Sequence, residues 1–520
     1  MDRGLRQFAL PSFPDLLFAS LLAAVFGRSA GLETLLADGD TGWHIRTGEW
    51  ILRAHRVPHH DLFSFSRSGA PWTAWEWLSD VVFAQLYRWH GLTAVAGACA
   101  MVLCLTAACL CGWLLARGVG LWLALAVTLA ATSISTVHYL ARPHVFSILL
   151  FTVCLWILDR DRSGHGCAVW WLAPLTALWC NLHGGFTLWI AALFLRVMAS
   201  ALERDRCACR RYASLAAVCS AATLINPYGW NLHRHIAEYL ASPWILNHVQ
   251  EFQPPSIRSE NLVVFAVALV LATALAARRV ARGQWFEPLL LWLLALAALR
   301  SARHVPLFAV AAAPVIADEC AALWSSFVLS RGRRAPARVL WDSGQDLCRR
   351  RAVTPWAPVL GALVFALWIA PVRDFPATSF PVAAITASEP LLTAPSGALR
   401  ILTSDQWGDY LIFRLYPHQR VFFDGRSDFY GEALGEDYQA LLDAGPRARE
   451  LLERYGFDLA LLPHDWALER VLENDAGWQR IYRDNVASVF QRLKNRSRPP
   501  IENCMDPMAG IRAADARERK

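Results

Sequence analysis

Apolar runs approaching the length of a bilayer crossing recur through the first three quarters of the chain, and no other feature narrows the possible folds as much. They fall at residues 16–26, 81–90 with 92–116, 119–137, 144–158, 167–181, 185–202, 212–225, 261–277, 285–299, 304–324 and 356–372. That makes about eleven crossings, each needing roughly 20 residues. Several runs are shorter, and the 81–90 piece reads as the end of an amphipathic helix lying at the interface. Composition agrees. Hydrophobic residues make up 55% of the 520 and charged residues only 18%, where a soluble chain carries about 25%. The sequence therefore reads as an integral membrane protein.

The charge of +7 is carried largely by arginine in short loops, which points to membrane topology rather than to nucleic acid. With a cytoplasmic N-terminus, the inside loops hold Arg117, then Arg160 and Arg162, then Arg204, Arg206, Arg210 and Arg211, then Arg278, Arg279 and Arg282, and last Arg331 to Arg351. The first apolar segment reads as an uncleaved helix starting near Phe8. The alternative is a signal peptide cut near Ser29-Ala30-Gly31. Most of the 13 cysteines lie inside apolar runs and behave as small hydrophobes, so no disulfide framework is expected. Cys207-Ala208-Cys209, in an Arg-rich loop, lacks a partner pair at zinc-site spacing.

Between the apolar runs, residues 28–80 form a polar, aromatic insert, the first extracytoplasmic loop in this orientation. It opens with Asp38-Gly39-Asp40, continues through Trp43, His44, Thr47, Trp50 and Ile51 at helical spacing, breaks at Val57-Pro58-His59-His60-Asp61, and closes with Trp72, Trp75, Glu76 and Trp77. The glycine between the two aspartates lets both carboxylates converge. An alternative is that the pair caps the following helix.

The same orientation puts further polar motifs outside: His138 to His144 with Arg142, Asn181-Leu182-His183-Gly184-Gly185, Asn226-Pro227-Tyr228-Gly229-Trp230, Gln250 to Pro255, and Arg300-Ser301-Ala302-Arg303-His304. Ionisable groups at membrane depth cost about 2.5 kcal/mol or more each and usually face a polar cavity. The expectation is one extracytoplasmic cavity rimmed by Asp38, Asp40, Arg142, His144, His183, Arg303 and His304. Each motif alone also fits a helix end with a snorkelling arginine.

Residues 376–495 contain no further apolar run. Strands are expected at 399–402, 420–426, 459–462 and 486–490, with helices starting near Trp407 and covering 447–455 and 466–474. This is a small α/β domain on the extracytoplasmic side. Residues 496–520 read as a disordered tail. The expected fold is thus an all-α polytopic membrane domain over 1–375 followed by this domain.

The acidic motif, amphipathic helix and Pro-Asp turn of the insert resemble the first extracytoplasmic loop of GT-C glycosyltransferases. These polytopic enzymes include oligosaccharyltransferase catalytic subunits, protein mannosyltransferases and aminoarabinose transferases. Trp407-Gly408-Asp409-Tyr410 is similar to the oligosaccharyltransferase Trp-Trp-Asp-Tyr-Gly motif but has Gly408 in place of the second tryptophan, and Asp424-Gly425-Arg426 follows. The resemblance implies a bacterial inner-membrane enzyme that moves a sugar from a polyprenyl-phosphate-linked donor to an extracytoplasmic glycolipid, polysaccharide or protein. It implies Asp40 or Asp38 as base, or both as ligands of a divalent cation such as Mg or Mn. His44, Arg142, His144, His183, Arg303 and His304 would bind the donor, and Trp407, Asp409, Tyr410, Asp424 and Arg426 the acceptor side. The tryptophans of the insert would stack on sugars or sit in an interfacial belt. Two other readings stay open: a lipid or polysaccharide transporter or flippase, and a non-catalytic subunit of the same fold. The absence of an internal repeat speaks against a transporter.

Overall fold

The computed structural model describes residues 10–28, 31–162, 164, 167–256, 258, 260–330, 335–347, 353–368, 370–394, 397–464 and 466–493. The expected 496–520 tail, Arg331 to Arg334 and Arg349 to Arg351 lie outside these residues. By packing, the chain divides into two compact units, 1–32 with 97–230 and 248–371, and 33–96 with 231–247 and 372–520.

In the first unit each expected apolar run contains a helix. The run at 16–26 becomes the helix Phe13–Phe26, capped by Ser12, whose hydroxyl accepts the Asp15 N–H while Asp15 accepts the Ser12 N–H. Asp15 also takes the Thr354 N–H at 2.8 Å, tying that cap to the start of Trp356–Trp368. The chain continues through Leu121–Ser135, His144–Arg162, Leu172–Leu182, Phe186–Leu202, Arg206–Ala222, Glu260–Ala281, Phe286–Arg300 and Val305–Leu329. Cys207 and Cys209 prove to be in the first turns of Arg206–Ala222 rather than in a loop.

The count of eleven crossings is not reproduced. Among the described residues four helical stretches are long and apolar enough to cross a membrane: Trp77–Ala116, Leu121–His138, Leu262–Ala281 and Ala302–Leu329. Five more apolar helices are only 10–17 residues long. A rise of about 1.5 Å per residue makes a 14-residue helix about 21 Å long, short of a hydrocarbon core of about 30 Å. The counted runs are cut short by polar ends, such as Asp159 to Arg162 at the end of 144–162 and three arginines at the start of 206–222. The expected 81–90 and 92–116 pieces form one 40-residue helix, Trp77–Ala116, interrupted by non-helical backbone at His90 and Gly91. Four apolar spans in a helical framework make the protein an integral membrane protein.

The second unit holds the helix Asp40–Ala54, the start of Trp77–Ala116, and a four-stranded sheet in the order β1-β2-β4-β3. The strands are β1 Ile401–Leu402, β2 Leu459–Pro463, β3 Trp478–Arg483 and β4 Ala487–Arg492. β1 pairs parallel with β2, and the other pairs are antiparallel. Helices Asp405–Leu415, Ala448–Tyr455 and Ala467–Glu473 fall where expected. The expected strand at 420–426 does not form. Val421 makes isolated bridges to Ser64 and Ile401, exchanging hydrogen bonds with Phe63 and Phe65, and the chain then turns at 424–426. Strand β3 was not expected, because its burial does not follow a clean alternation.

Candidate functional site

Two polar clusters stand out, one in each unit. In the second unit the 40–54 helix packs against the 405–415 helix through glycines. A Cβ on Gly39 would meet Gln406 O at 2.3 Å and Asp409 Cβ at 2.8 Å, and one on Gly42 would meet Asp409 O at 2.8 Å. Only bare backbone permits this approach, and it brings Asp40 and Asp409 to one place. They converge over Gly425, where a Cβ would lie 2.1 Å from Asp40 Oδ1 and 2.7 Å from Asp409 Oδ2. Gly425 N–H donates to Asp409 Oδ1 at 2.9 Å, while Asp409 Oδ2, fully buried, has no hydrogen-bond partner. Burial, then the charges of Asp40 and Asp424, raise the Asp409 carboxyl well above the usual carboxylate range. Two buried carboxylates this close need a shared proton or a cation between them.

Asp38 and Asp40 have separate roles. Asp38 Oδ1 accepts the Asp40 N–H at 2.9 Å at the helix start, where the N-cap Gly39 offers no side chain. The Asp40 side chain instead enters the pair with Asp409. Hard carboxylate oxygens suit Mg or Mn, and the Gly425 gap leaves room at the point where they meet. Among the described residues no group of three or more His, Cys, Asp or Glu is arranged to hold a metal ion.

Asp424 and Arg426 bind each other. Arg426 Nη2 donates to Asp424 Oδ2 at 2.7 Å and to Asp61 Oδ1 at 2.9 Å, and Tyr430 Oη donates to Asp424 Oδ2 at 2.6 Å. The guanidinium lies over Trp72 at 4.6 Å and over Phe63 and Phe429 at 4.9 Å. Burial lowers its pKa, but Asp424 and Asp61 outweigh that and hold the ion charged. This buried ion group fixes the 424–426 turn from beneath. Trp407 Nε1 donates to Ser379 O at 2.9 Å and Tyr410 Oη to Asp374 Oδ2 at 3.1 Å, so both face the core. Position 408 admits only glycine, because a Cβ there would lie 2.2 Å from Phe423 O. His44 is held between helices, with Nδ1 2.5 Å from Asp80 Oδ1 and Nε2 3.6 Å from Glu76 Oε2. Trp75 packs on His235 and Tyr239.

In the first unit, Arg142, His144, His183, Arg303 and His304 come together with His138 and Glu251, which the sequence motifs contained but did not single out. Arg142 pairs with Glu251, and Ser301 Oγ donates to Glu251 O at 2.7 Å. The His138 and His144 rings lie 4.1 Å apart and those of His144 and His183 6.5 Å apart. His183 Nδ1 is 2.7 Å from Ser147 Oγ and accepts the Gly185 N–H at 3.0 Å. Arg303 lies over the Phe252 ring at 4.7 Å. Burial raises the Glu251 carboxyl, but Arg142, His138 and Arg303 outweigh it and bring it down to about 2. Two arginines against one carboxylate, ringed by histidines, make a cationic site suited to a phosphate.

No protein-family model matches the chain, and no curated protein matches it. Among solved structures it is similar to the archaeal oligosaccharyltransferase AglB from Archaeoglobus fulgidus, determined in complex with an inhibitory peptide and a dolichol-phosphate. The TM-score is 0.57 at 12% identity, over 87% of this chain and 69% of that one. At that identity the likeness establishes the fold alone: the chain shares the fold of that structure.

Proposed function

We propose that the protein is a membrane glycosyltransferase that moves a sugar from a polyprenyl-phosphate-linked donor to an extracytoplasmic acceptor. The reading rests on the convergence of Asp40 and Asp409 over Gly425, because buried paired carboxylates with one raised pKa are what proton transfer near neutral pH needs. The AglB likeness, with its dolichol-phosphate, supports a donor of the lipid-phosphate class. The chain would lie in a bacterial inner membrane, with its cytoplasmic loops rich in arginine and residues 376–495 in the periplasm.

In the reaction, the acceptor hydroxyl gives its proton to the Asp40–Asp409 pair. Its oxygen bonds to the anomeric carbon of the sugar, and the bond from that carbon to phosphate breaks, the electron pair leaving on the polyprenyl phosphate. Within the first unit, the Arg142 and Arg303 guanidiniums with His144 and His183 are a separate cationic group of the kind that binds a phosphate. A divalent cation held by Asp40 and Asp409, when bound, would supply positive charge to the departing phosphate.

The test is turnover of Asp40→Asn and Asp409→Asn, each keeping the shape of the residue it replaces. Both should lose transfer by about 10²–10⁴-fold while still inserting and still binding donor. Near-full turnover in both would make the pair structural and the reading wrong.

A further inference from the structure

Ser147 has neighbours on two sides that decide what its hydroxyl does. It lies buried in the first turn of the His144–Arg162 helix. Trp179, in the last turn of Leu172–Leu182, donates its indole N–H to Ser147 Oγ at 2.7 Å, and Ser147 Oγ lies 2.7 Å from His183 Nδ1. The His183 N–H donates back to Trp179 O at 3.0 Å, where that helix ends. His183 Nδ1 also accepts the Gly185 N–H at 3.0 Å. This approach needs bare backbone, because a Cβ on Gly185 would lie 2.4 Å from Ser147 Oγ and 3.1 Å from Nδ1.

These contacts leave one arrangement of protons. An indole N–H and a backbone N–H can only donate. Gly185 therefore needs a lone pair on Nδ1, so Nδ1 carries no proton. Ser147 stands between a group that can only donate and a nitrogen that can only accept. Its hydroxyl takes the Trp179 N–H and gives its hydrogen to Nδ1. The imidazole proton is then on Nε2, and the ring is neutral. A proton on Nδ1 would break two hydrogen bonds in a buried place. Burial, then the charges of Arg303 and Arg142, push the imidazole well below its ordinary value, against a weaker pull from Glu251. The other titratable groups around the ring are His138 and His144, and His304 follows Arg303 in the chain.

A ring held this way cannot act as a base, because its one lone pair is already bonded twice. What it can offer is the Nε2–H. We propose that Trp179, Ser147 and Gly185 are positioning residues that lock His183 as a neutral donor to the phosphate that Arg142 and Arg303 attract. The proposal rests on the phosphate reading of this group. The lock keeps the same donor in place across the physiological pH range, where an ordinary histidine would switch charge.

Nitrogen NMR of the full chain in detergent, with isotope label only in histidine, reads the tautomer. The His183 signals are those missing from His183→Gln. One bare and one protonated nitrogen should persist from about pH 8 to about pH 5.5. A protonated Nδ1 in that range would overturn the lock. In Ser147→Ala, and in Trp179→Phe, which keeps a ring but frees the serine to turn, imidazolium should appear at the acid end. Wild-type spectra in both would overturn the positioning roles. Titration with undecaprenyl phosphate reads the donor. His183→Ala should weaken binding about tenfold, the effect of one hydrogen bond to a charged group. His183→Gln, which carries an amide N–H near the place of Nε2, should recover most of it. The ratio of wild-type to His183→Gln affinity should not change with pH, since the titration of the ligand cancels in it. A ratio that climbs as pH falls would mean that His183 gains a proton and would overturn the proposal. Binding that His183→Ala leaves unchanged would overturn the donor and spare the phosphate reading. Absence of binding by the wild type would overturn both.

Discussion

Gly425→Ala should separate catalysis from folding. The methyl carbon would stand 2.1 Å from Asp40 Oδ1 and 2.7 Å from Asp409 Oδ2. A carbon–oxygen contact needs about 3.2 Å, so the Asp40 carboxylate must retreat by about 1 Å. A displacement of 1 Å costs about 10²-fold in rate where groups must align. The overpacking itself costs about 1–3 kcal/mol of stability, which a protein of this size tolerates. The expected result is a well-folded, donor-binding protein, its transfer rate down about 100-fold and its unfolding temperature lowered by a few degrees. Turnover measured alongside thermal unfolding reads both. Transfer at the wild-type rate would show that the space above Gly425 is not where the carboxylates act.

Asp409→Asn should stabilise the fold at neutral pH. The Asp409 carboxyl is raised in the folded protein, so its contribution is present in full below the unfolded value near 3.8 and lost as pH rises through the folded value. The melting temperature of the variant should therefore exceed that of wild type by more at pH 8 than at pH 5, and a constant gap would refute the raised carboxyl. Arg426→Met should destabilise by about 3–5 kcal/mol, because it leaves Asp424 and Asp61 buried without their counterion; a melting temperature near wild type would contradict the pairing. Reporter fusions after Arg162 and Arg211 should read cytoplasmic, and fusions after Arg303 and within 376–493 extracytoplasmic. A cytoplasmic reading at 376–493 would reverse the topology.

What the sequence revealed divides by the range of the interactions. Helices form from local periodicity, so 40–54, 144–162 and 405–415 were legible from their residues. Length was less so, because a polar end such as Asp159 to Arg162 removes residues from a span without changing its apolar centre. The 420–426 segment looked like a strand because Val421, Phe422 and Phe423 form a short apolar run, yet these side chains are buried by different partners on the 57–76 loop and the 429–457 region. The pairing of Asp40 with Asp409 depends on packing between residues far apart in the chain, and the nearest sequence signal was the glycine at 39, 42 and 425. Asp61, Asp80 and Glu76 took their places beside Arg426 and His44 through the same long-range packing. Arg142, His144, His183, Arg303 and His304 each stand in a polar motif at the end of an apolar run, which is the local signal the sequence carries for them.

The most direct test of the central claim is discharge of a labelled donor by the purified wild-type chain. The protein, in vesicles, is given a panel of undecaprenyl-phosphate-linked hexoses and pentoses with an extract of cell-envelope acceptors, and free polyprenyl phosphate is measured over time. A transferase releases polyprenyl phosphate and one labelled acceptor product from at least one donor. If every donor stays intact, or crosses the vesicle membrane with its sugar attached, the chain is not a glycosyltransferase, and the transporter reading takes its place.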